Sequence, residues 1–217
     1  MKRAVIFDLD GLLIDSEVVS HQLMDELLRQ YGYSLTKAEY ARIYSGKTGI
    51  GNMTHMIETY HLPLTVAEGM AWEAKREAEL LPTVRLKPGG AALLAWLKAR
   101  GVTVVLATSS KRDRAVDILT RLGVVQYFDD MVFGTEIERG KPYPDIFLKA
   151  AEKAHAAPAD CLVLEDSFNG IRAGRAAGCV TVMVPDLMQP NEEITRLYDR
   201  KCDDLLQVRD LLIEGKL

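Results

Sequence analysis

The chain has 217 residues, 48% of them hydrophobic and 27% charged, with a formal net charge of −4. That is enough apolar material for a sizeable core: one domain, or one domain carrying an insertion, at roughly 100–200 residues per domain. The slightly acidic balance gives no electrostatic case for a nucleic-acid or membrane partner, and 16 Gly with 8 Pro exclude collagen-like and low-complexity classes.

Ala4-Val5-Ile6-Phe7 is short, apolar throughout and runs into acidic residues and Gly11. A strand buried on both faces of a parallel sheet reads this way. Asp8 and Asp10 also break the apolar stretch after Met1-Lys2-Arg3, so no secretory leader is expected. Over 16–84 no strand-like run follows. Helical stretches are interrupted at Gly32, Gly46 to Gly51, Pro63 and Pro82, and a helix over 17–31 repeats Val19, Leu23, Leu27 and Tyr31 at spacing four. This segment is too long for a simple crossover and predicts an inserted helical subdomain.

From residue 85 onward strand and helix alternate. A helix over 88–100 opens at Pro88 and closes at Gly101. An apolar run at 102–107 precedes a helix over 112–122, whose Ala115, Ile118, Leu119 and Leu122 share one face. Further apolar runs lie at 131–133, 161–164 and 180–184, with helices over 145–155 and 169–177 and a last one near 204–214. The polar stretch 186–200, which contains Pro190, reads as a surface loop or a short irregular helix. The alternation implies right-handed crossovers and an α/β doubly wound parallel sheet, with ligands outside the carboxyl ends of the strands. Cys161, Cys179 and Cys202 form no CxxC pair or zinc spacing and read as reduced, buried thiols. No run of about 18 uncharged apolar residues predicts a membrane span.

Four places carry candidate chemistry, each following an apolar run. In Asp8-Leu9-Asp10-Gly11 two carboxylates two apart leave a buried strand, and Gly11 lets the backbone turn. One Asp can attack phosphorus while its neighbour moves protons; a solvated acidic turn is the plainer reading. Thr108-Ser109-Ser110 offers hydroxyls and amides for an anionic oxygen, or simply caps the next helix. Lys141 lies in the turn-rich Gly140-Lys141-Pro142-Tyr143-Pro144, where a fixed ammonium could neutralise a phosphoryl group and a carboxylate together, or be merely solvated. Glu165-Asp166 supplies hard oxygens of the Mg²⁺ type, or an acidic helix start facing the helix dipole.

In order, spacing and context, DLDGLLIDS, LATSS, GKPYPDIF and LEDSFNGIRAG resemble the haloacid dehalogenase superfamily over nearly the whole chain. The resemblance is to the subfamily with a helical cap inserted after the first motif, and within it to the β-phosphoglucomutase-like phosphatases. It implies a Rossmann-like core domain over 1–15 and 85–217 and an α-helical cap subdomain over 16–84. It implies that Asp8 is the nucleophile that forms an aspartyl-phosphate. Asp10 is then general acid for the leaving group and base for the incoming water, its backbone carbonyl also binding Mg²⁺. Thr108 and the Ser109 amide hold phosphoryl oxygens, helped by the amides of Gly11 and Leu12. Lys141 screens Asp8 and the phosphate. Asp166 and Glu165 complete the Mg²⁺ site with Asp8 and Asp10, and Asp15 and Ser16 organise the hinge into the cap.

The expectation is thus a cytoplasmic, Mg²⁺-dependent, monomeric phosphatase of a small phosphorylated metabolite, a sugar phosphate, with no nucleic-acid or membrane partner. The alternative is a phosphosugar mutase (isomerase), which grips a second phosphate with a cap Arg. Gly49 stands where that Arg belongs and Ser20 where the mutase has a His, although Lys47 can supply a cation. A non-catalytic phosphometabolite-binding protein is a third reading, opposed by intact Asp8, Asp10, Lys141 and Asp166. Lys47 and Lys75 are candidate cap contacts to substrate, with Arg76 a second possibility on the same helix. The scattered His21, His55 and His61 are not expected to bind metal.

Overall fold

The computed structural model describes residues 2–45 and 48–217. The chain divides into two compact units, residues 1–15 with 85–217, and residues 16–84.

The first unit is a six-stranded, all-parallel sheet. Its strands are β1 (Ala4–Phe7), β2 (Thr103–Thr108), β3 (Asp130–Phe133), β4 (Cys161–Glu165), β5 (Val180–Met183) and β6 (Arg200–Lys201). They lie in the order β3-β2-β1-β4-β5-β6. The path runs outward from β1 to β3, then returns to the other side of β1 and runs outward again, and such a reversal opens a crevice at the carboxyl ends of the strands. Register decides what meets there. Phe7 pairs with Leu106 and Leu164, so Asp8, one step on, lies level with Ala107 and Glu165. The central strands are apolar at nearly every position because helices cover both faces. The helix α7 (Asp145–Lys153) buries Ile146, Phe147, Ala150 and Ala151 in one core with Ile6, Val105 and Val163. The remaining helices of this unit are α5 (Gly90–Lys98), α6 (Arg112–Arg121), α8 (Phe168–Ala176), the short α9 (Glu192–Thr195) and α10 (Leu205–Ile213).

The stretch expected as loop or short irregular helix holds both α9 and part of β6, an edge strand missing from the sequence reading. Its two residues, Arg200 and Lys201, are exposed and charged, as edge strands that resist further pairing are, and they carry no hydrophobic signal.

The second unit is helical: α1 (Glu17–Arg29), α2 (Lys37–Ile43), α3 (Gly49–Tyr60) and α4 (Val66–Leu80). Capping boxes open α2 through Thr36 and Glu39, and α4 through Thr65 and Glu68. The core of this unit gathers Leu27, Leu28, Tyr40, Tyr44, Met53 and Met56, with Trp72 partly buried against it. His21 Nε2 donates to the Leu35 carbonyl at 2.8 Å and the ring packs edge-on to Tyr40, a structural role. All three cysteines are buried and free. Among the described residues no helix is long and apolar enough to cross a membrane.

Candidate active site

Asp8 is the first residue beyond β1, and its amide donates to the Leu164 carbonyl at 3.1 Å, which continues the sheet ladder one step. The residue is buried, 6% exposed. Lys141, from the loop after β3, donates through Nζ to Asp8 Oδ1 at 2.5 Å and to Glu165 Oε1 at 2.5 Å. The other oxygen of Glu165 accepts from the Ser167 amide at 2.8 Å and the Ser167 hydroxyl at 2.9 Å. Space for that carboxylate exists because residue 170 is glycine: a Cβ there would overlap it.

Two buried carboxylates share one ammonium, so the cluster carries excess negative charge. Burial pushes the Asp8 carboxyl up; Lys141 opposes this and Glu165 reinforces it, leaving it at about 7 against an ordinary 3.8. Burial alone would lower Lys141, but the Asp8 and Glu165 carboxylates outweigh it and hold the ammonium above its usual range.

Asp10 sits in a second network. Its Oδ2 accepts from Ser110 Oγ at 2.6 Å and its Oδ1 from Arg114 Nη1 at 2.8 Å, while Arg114 Nη1 also donates to Ser110 Oγ at 2.8 Å. The sequence reading named Ser110 only as part of the Thr108-Ser109-Ser110 stretch and missed Arg114, a residue of the first turn of α6.

The turn at 8–14 brings a further carboxylate in. Gly11 has φ +82°, and a Cβ there would collide with Asp166, so the Asp166 carboxylate lies directly against this loop. Thr108 is buried, and its Oγ1 accepts from the Ser110 amide at 3.0 Å. Neither Thr108, Ser109 nor Ser110 caps α6: the capping residue is Lys111, without a side-chain cap bond. The helix after Glu165-Asp166 is instead capped by Ser167, which accepts from Gly170.

Residues 2–178 match the haloacid dehalogenase-like hydrolase family. The chain belongs to that family. This haloacid dehalogenase-like hydrolase is 36% identical over 218 residues to a probable pseudouridine-5'-phosphatase of Drosophila melanogaster, covering 97% of this chain and 90% of that protein. It is 35% identical over 213 residues to a bifunctional riboflavin kinase/FMN phosphatase of Arabidopsis thaliana, covering 96% of this chain but 55% of that longer protein. A solved structure of CbbY from Rhodobacter sphaeroides in complex with phosphate superposes with TM-score 0.80 at 26% identity, covering 96% of each chain.

One site expectation for this hydrolase is corrected by the geometry. The Gly11 amide donates to the Ile14 carbonyl at 3.0 Å; it closes the turn and is not a free phosphate donor, which leaves Leu12, next on the turn with a buried side chain. Glu165 has both oxygens engaged, one by Lys141 and one by Ser167, and in this arrangement it braces Lys141.

Among the described residues no group of three or more His, Cys, Asp or Glu side chains forms a ready metal cluster. A Mg²⁺ site needs less, since one or two carboxylates with phosphate and water complete its shell. Asp8, the main-chain oxygen of Asp10 and Asp166 are all hard oxygen donors. The cradle that Gly11 leaves for the Asp166 carboxylate brings that group to the Asp8–Asp10 loop. This donor set fits Mg²⁺.

Of the cap candidates, Lys47 lies outside the described residues. Lys75 is exposed on α4. Arg76 is committed to Glu26 at 2.6 Å and Glu79 at 2.5 Å.

Proposed function

We propose that this hydrolase is a cytoplasmic phosphatase of small phosphorylated metabolites, working through a phosphoryl group carried on Asp8. The observation that carries the reading is the buried Asp8–Lys141–Glu165 cluster at the sheet's carboxyl end, with the Asp10 carboxylate two residues on. In the first half-reaction an Asp8 oxygen bonds to phosphorus as the bond to the ester oxygen breaks, and Asp10 gives that oxygen its proton. In the second, Asp10 takes a proton from water as the water oxygen bonds to phosphorus; phosphate leaves and the Asp8 carboxylate is restored.

A phosphate monoester dianion repels a carboxylate nucleophile. Lys141 offsets that repulsion from a position fixed before substrate arrives, so little reorganisation is required. Thr108 and the Ser109 amide hold phosphoryl oxygens at the end of β2. Mg²⁺, held by Asp8, Asp166 and the Asp10 carbonyl, would neutralise phosphoryl charge. Arg114 and Ser110 keep Asp10 in one orientation between turnovers.

The named relatives point to the substrate class. FMN and pseudouridine 5'-phosphate both carry phosphate on the end of a hydroxyl-bearing five-carbon chain, so we read the substrate as a sugar or sugar-alcohol phosphate. The test is phosphate release from a panel of such esters with Mg²⁺, wild type beside Asp8→Asn. Release that the substitution abolishes supports the reading. Release that survives it, or isomerised product without net phosphate, contradicts it; the second outcome moves the enzyme to the mutases.

A further inference from the structure

Lys141 stands in the loop between β3 and α7, and a second ion pair closes that loop outside the buried cluster. Arg139 donates through Nε to Asp145 Oδ1 at 3.2 Å and through Nη2 to Asp145 Oδ2 at 3.1 Å, a bidentate pair that joins the two ends of the loop. Asp145 is the first residue of α7. Its carboxyl is held below the usual range, first by the Arg139 guanidinium and further by the main-chain amides of Asp145 and Arg139. The same guanidinium lies 4.7 Å from the centre of the Tyr143 ring. Inside the clamp the Tyr143 amide donates to the Gly140 carbonyl at 3.0 Å, and Pro142 and Pro144 each fix a φ angle. The Lys141 side chain turns inward, 7% exposed against 55% for Arg139. Its Nζ lies 5.0 Å from the ring centre of Phe147, two residues after Asp145 on α7.

An exposed ion pair contributes little to folding stability. The place of this one in the chain gives it another use. A lysine reaches its partners on a flexible four-carbon stem, so Nζ is positioned only as well as the backbone that carries the stem. In the resting site Asp8 and Glu165 hold the ammonium. When a phosphoryl oxygen takes up one of its N–H groups, that hold is exchanged, and the loop has to keep its shape by other contacts. Arg139, Tyr143 and Asp145 provide them from the outer side.

We propose that Arg139 and Asp145 are positioning residues for phosphoryl transfer: their bidentate bond, stacked on Tyr143, fixes the loop that aims Lys141 at the Asp8 carboxylate and the phosphoryl group. The proposal rests on the phosphatase reading above and adds to it a pair that acts only through Lys141.

The test uses the full chain with Mg²⁺ and the ester that the wild type hydrolyses fastest, and compares Arg139→Ala, Asp145→Asn, the double variant and Arg139→Lys. In each single variant other than Arg139→Lys, kcat falls about 3- to 10-fold with KM within about twofold, because a slightly misplaced charge costs the transition state more than the bound substrate. The double variant loses no more than either single one, since both remove the same bond. Arg139→Lys keeps the charge and recovers part of the rate. Melting temperatures fall by at most about 4 °C, as for an exposed pair. An unchanged kcat in both single variants, or losses that multiply in the double variant, overturns the proposal. Lysine labelling separates it from the phosphatase reading. Folded wild type and Arg139→Ala, each with Mg²⁺ and no ester, receive trace acetic anhydride, and acetylation of Lys141 relative to Lys75 is read by mass spectrometry. The ratio rises at least about fivefold in Arg139→Ala, because a loop that opens locally exposes its side chains. That rise supports the clamp even if no ester is hydrolysed; an unchanged ratio overturns it even if phosphate is released.

Discussion

Lys141→Met removes the ammonium from the buried cluster and keeps the apolar stem of the side chain. In the native chain both Asp8 Oδ1 and Glu165 Oε1 lie 2.5 Å from Nζ, so they are at most about 5 Å apart. Two like charges at that separation repel by about 3 kcal/mol at an effective dielectric near 20. Breaking a buried ion pair from one side costs about 3–5 kcal/mol in general, which agrees. At about 2–4 °C per kcal/mol for a chain of this size, the melting temperature falls by roughly 6–20 °C. The assay is thermal unfolding followed by circular dichroism at pH 7.5 and pH 5. The loss is larger at pH 7.5, since at pH 5 Asp8 takes up a proton and relieves the repulsion. Lys141→Met with Glu165→Gln leaves one buried carboxylate and recovers over half of the loss. A melting temperature within about 2 °C of wild type at pH 7.5 would show that the carboxylates do not depend on Lys141.

Asp8→Asn abolishes phosphate release yet melts at or above the wild-type temperature at pH 7.5. The raised Asp8 carboxyl means the folded chain binds more protons than the unfolded chain between the ordinary 3.8 and about 7, so wild-type stability declines as pH rises through that window and the variant's declines less; calorimetry at pH 4.5 and 7.5 checks the sign. Arg114→Leu frees Asp10 from its fixed orientation and lowers kcat by about 10- to 100-fold, the cost of a small misplacement of a reacting group, while Arg114→Lys recovers part of it; steady-state kinetics decide, and an unchanged kcat contradicts the role. Gly170→Ala pushes a Cβ into the Glu165 carboxylate and destabilises the chain by about 1–3 kcal/mol, measured by urea unfolding.

The sheet was legible because its central strands are continuous apolar runs and because Gly101, Gly123 and Gly178 close the helices between them. The edge strand at Arg200–Lys201 was not, since an exposed charged pair looks like loop until a neighbouring strand gives it hydrogen bonds. In the site, Asp8, Asp10 and Asp166 stood out as polar residues just past buried runs, and Lys141 as a cation in a turn-rich loop. What their atoms bind did not. The chain gives no sign that the Gly11 amide is spent on Ile14, that Glu165 turns toward Lys141, or that Arg114, a helix residue far along the sequence, reaches Asp10.

Phosphatase chemistry at this site depends on Asp8 carrying a phosphoryl group. Asp10→Asn removes the base for the second half-reaction and is expected to let that species accumulate. The full-length variant is mixed with a reactive phosphate monoester and Mg²⁺, quenched in acid within one turnover, digested and measured by mass spectrometry. The expected result is a gain of one phosphoryl group on the peptide that contains Asp8, absent when Asp8→Asn is added. Phosphate release at the wild-type rate with no such peptide, or the phosphoryl group on another residue, would contradict it.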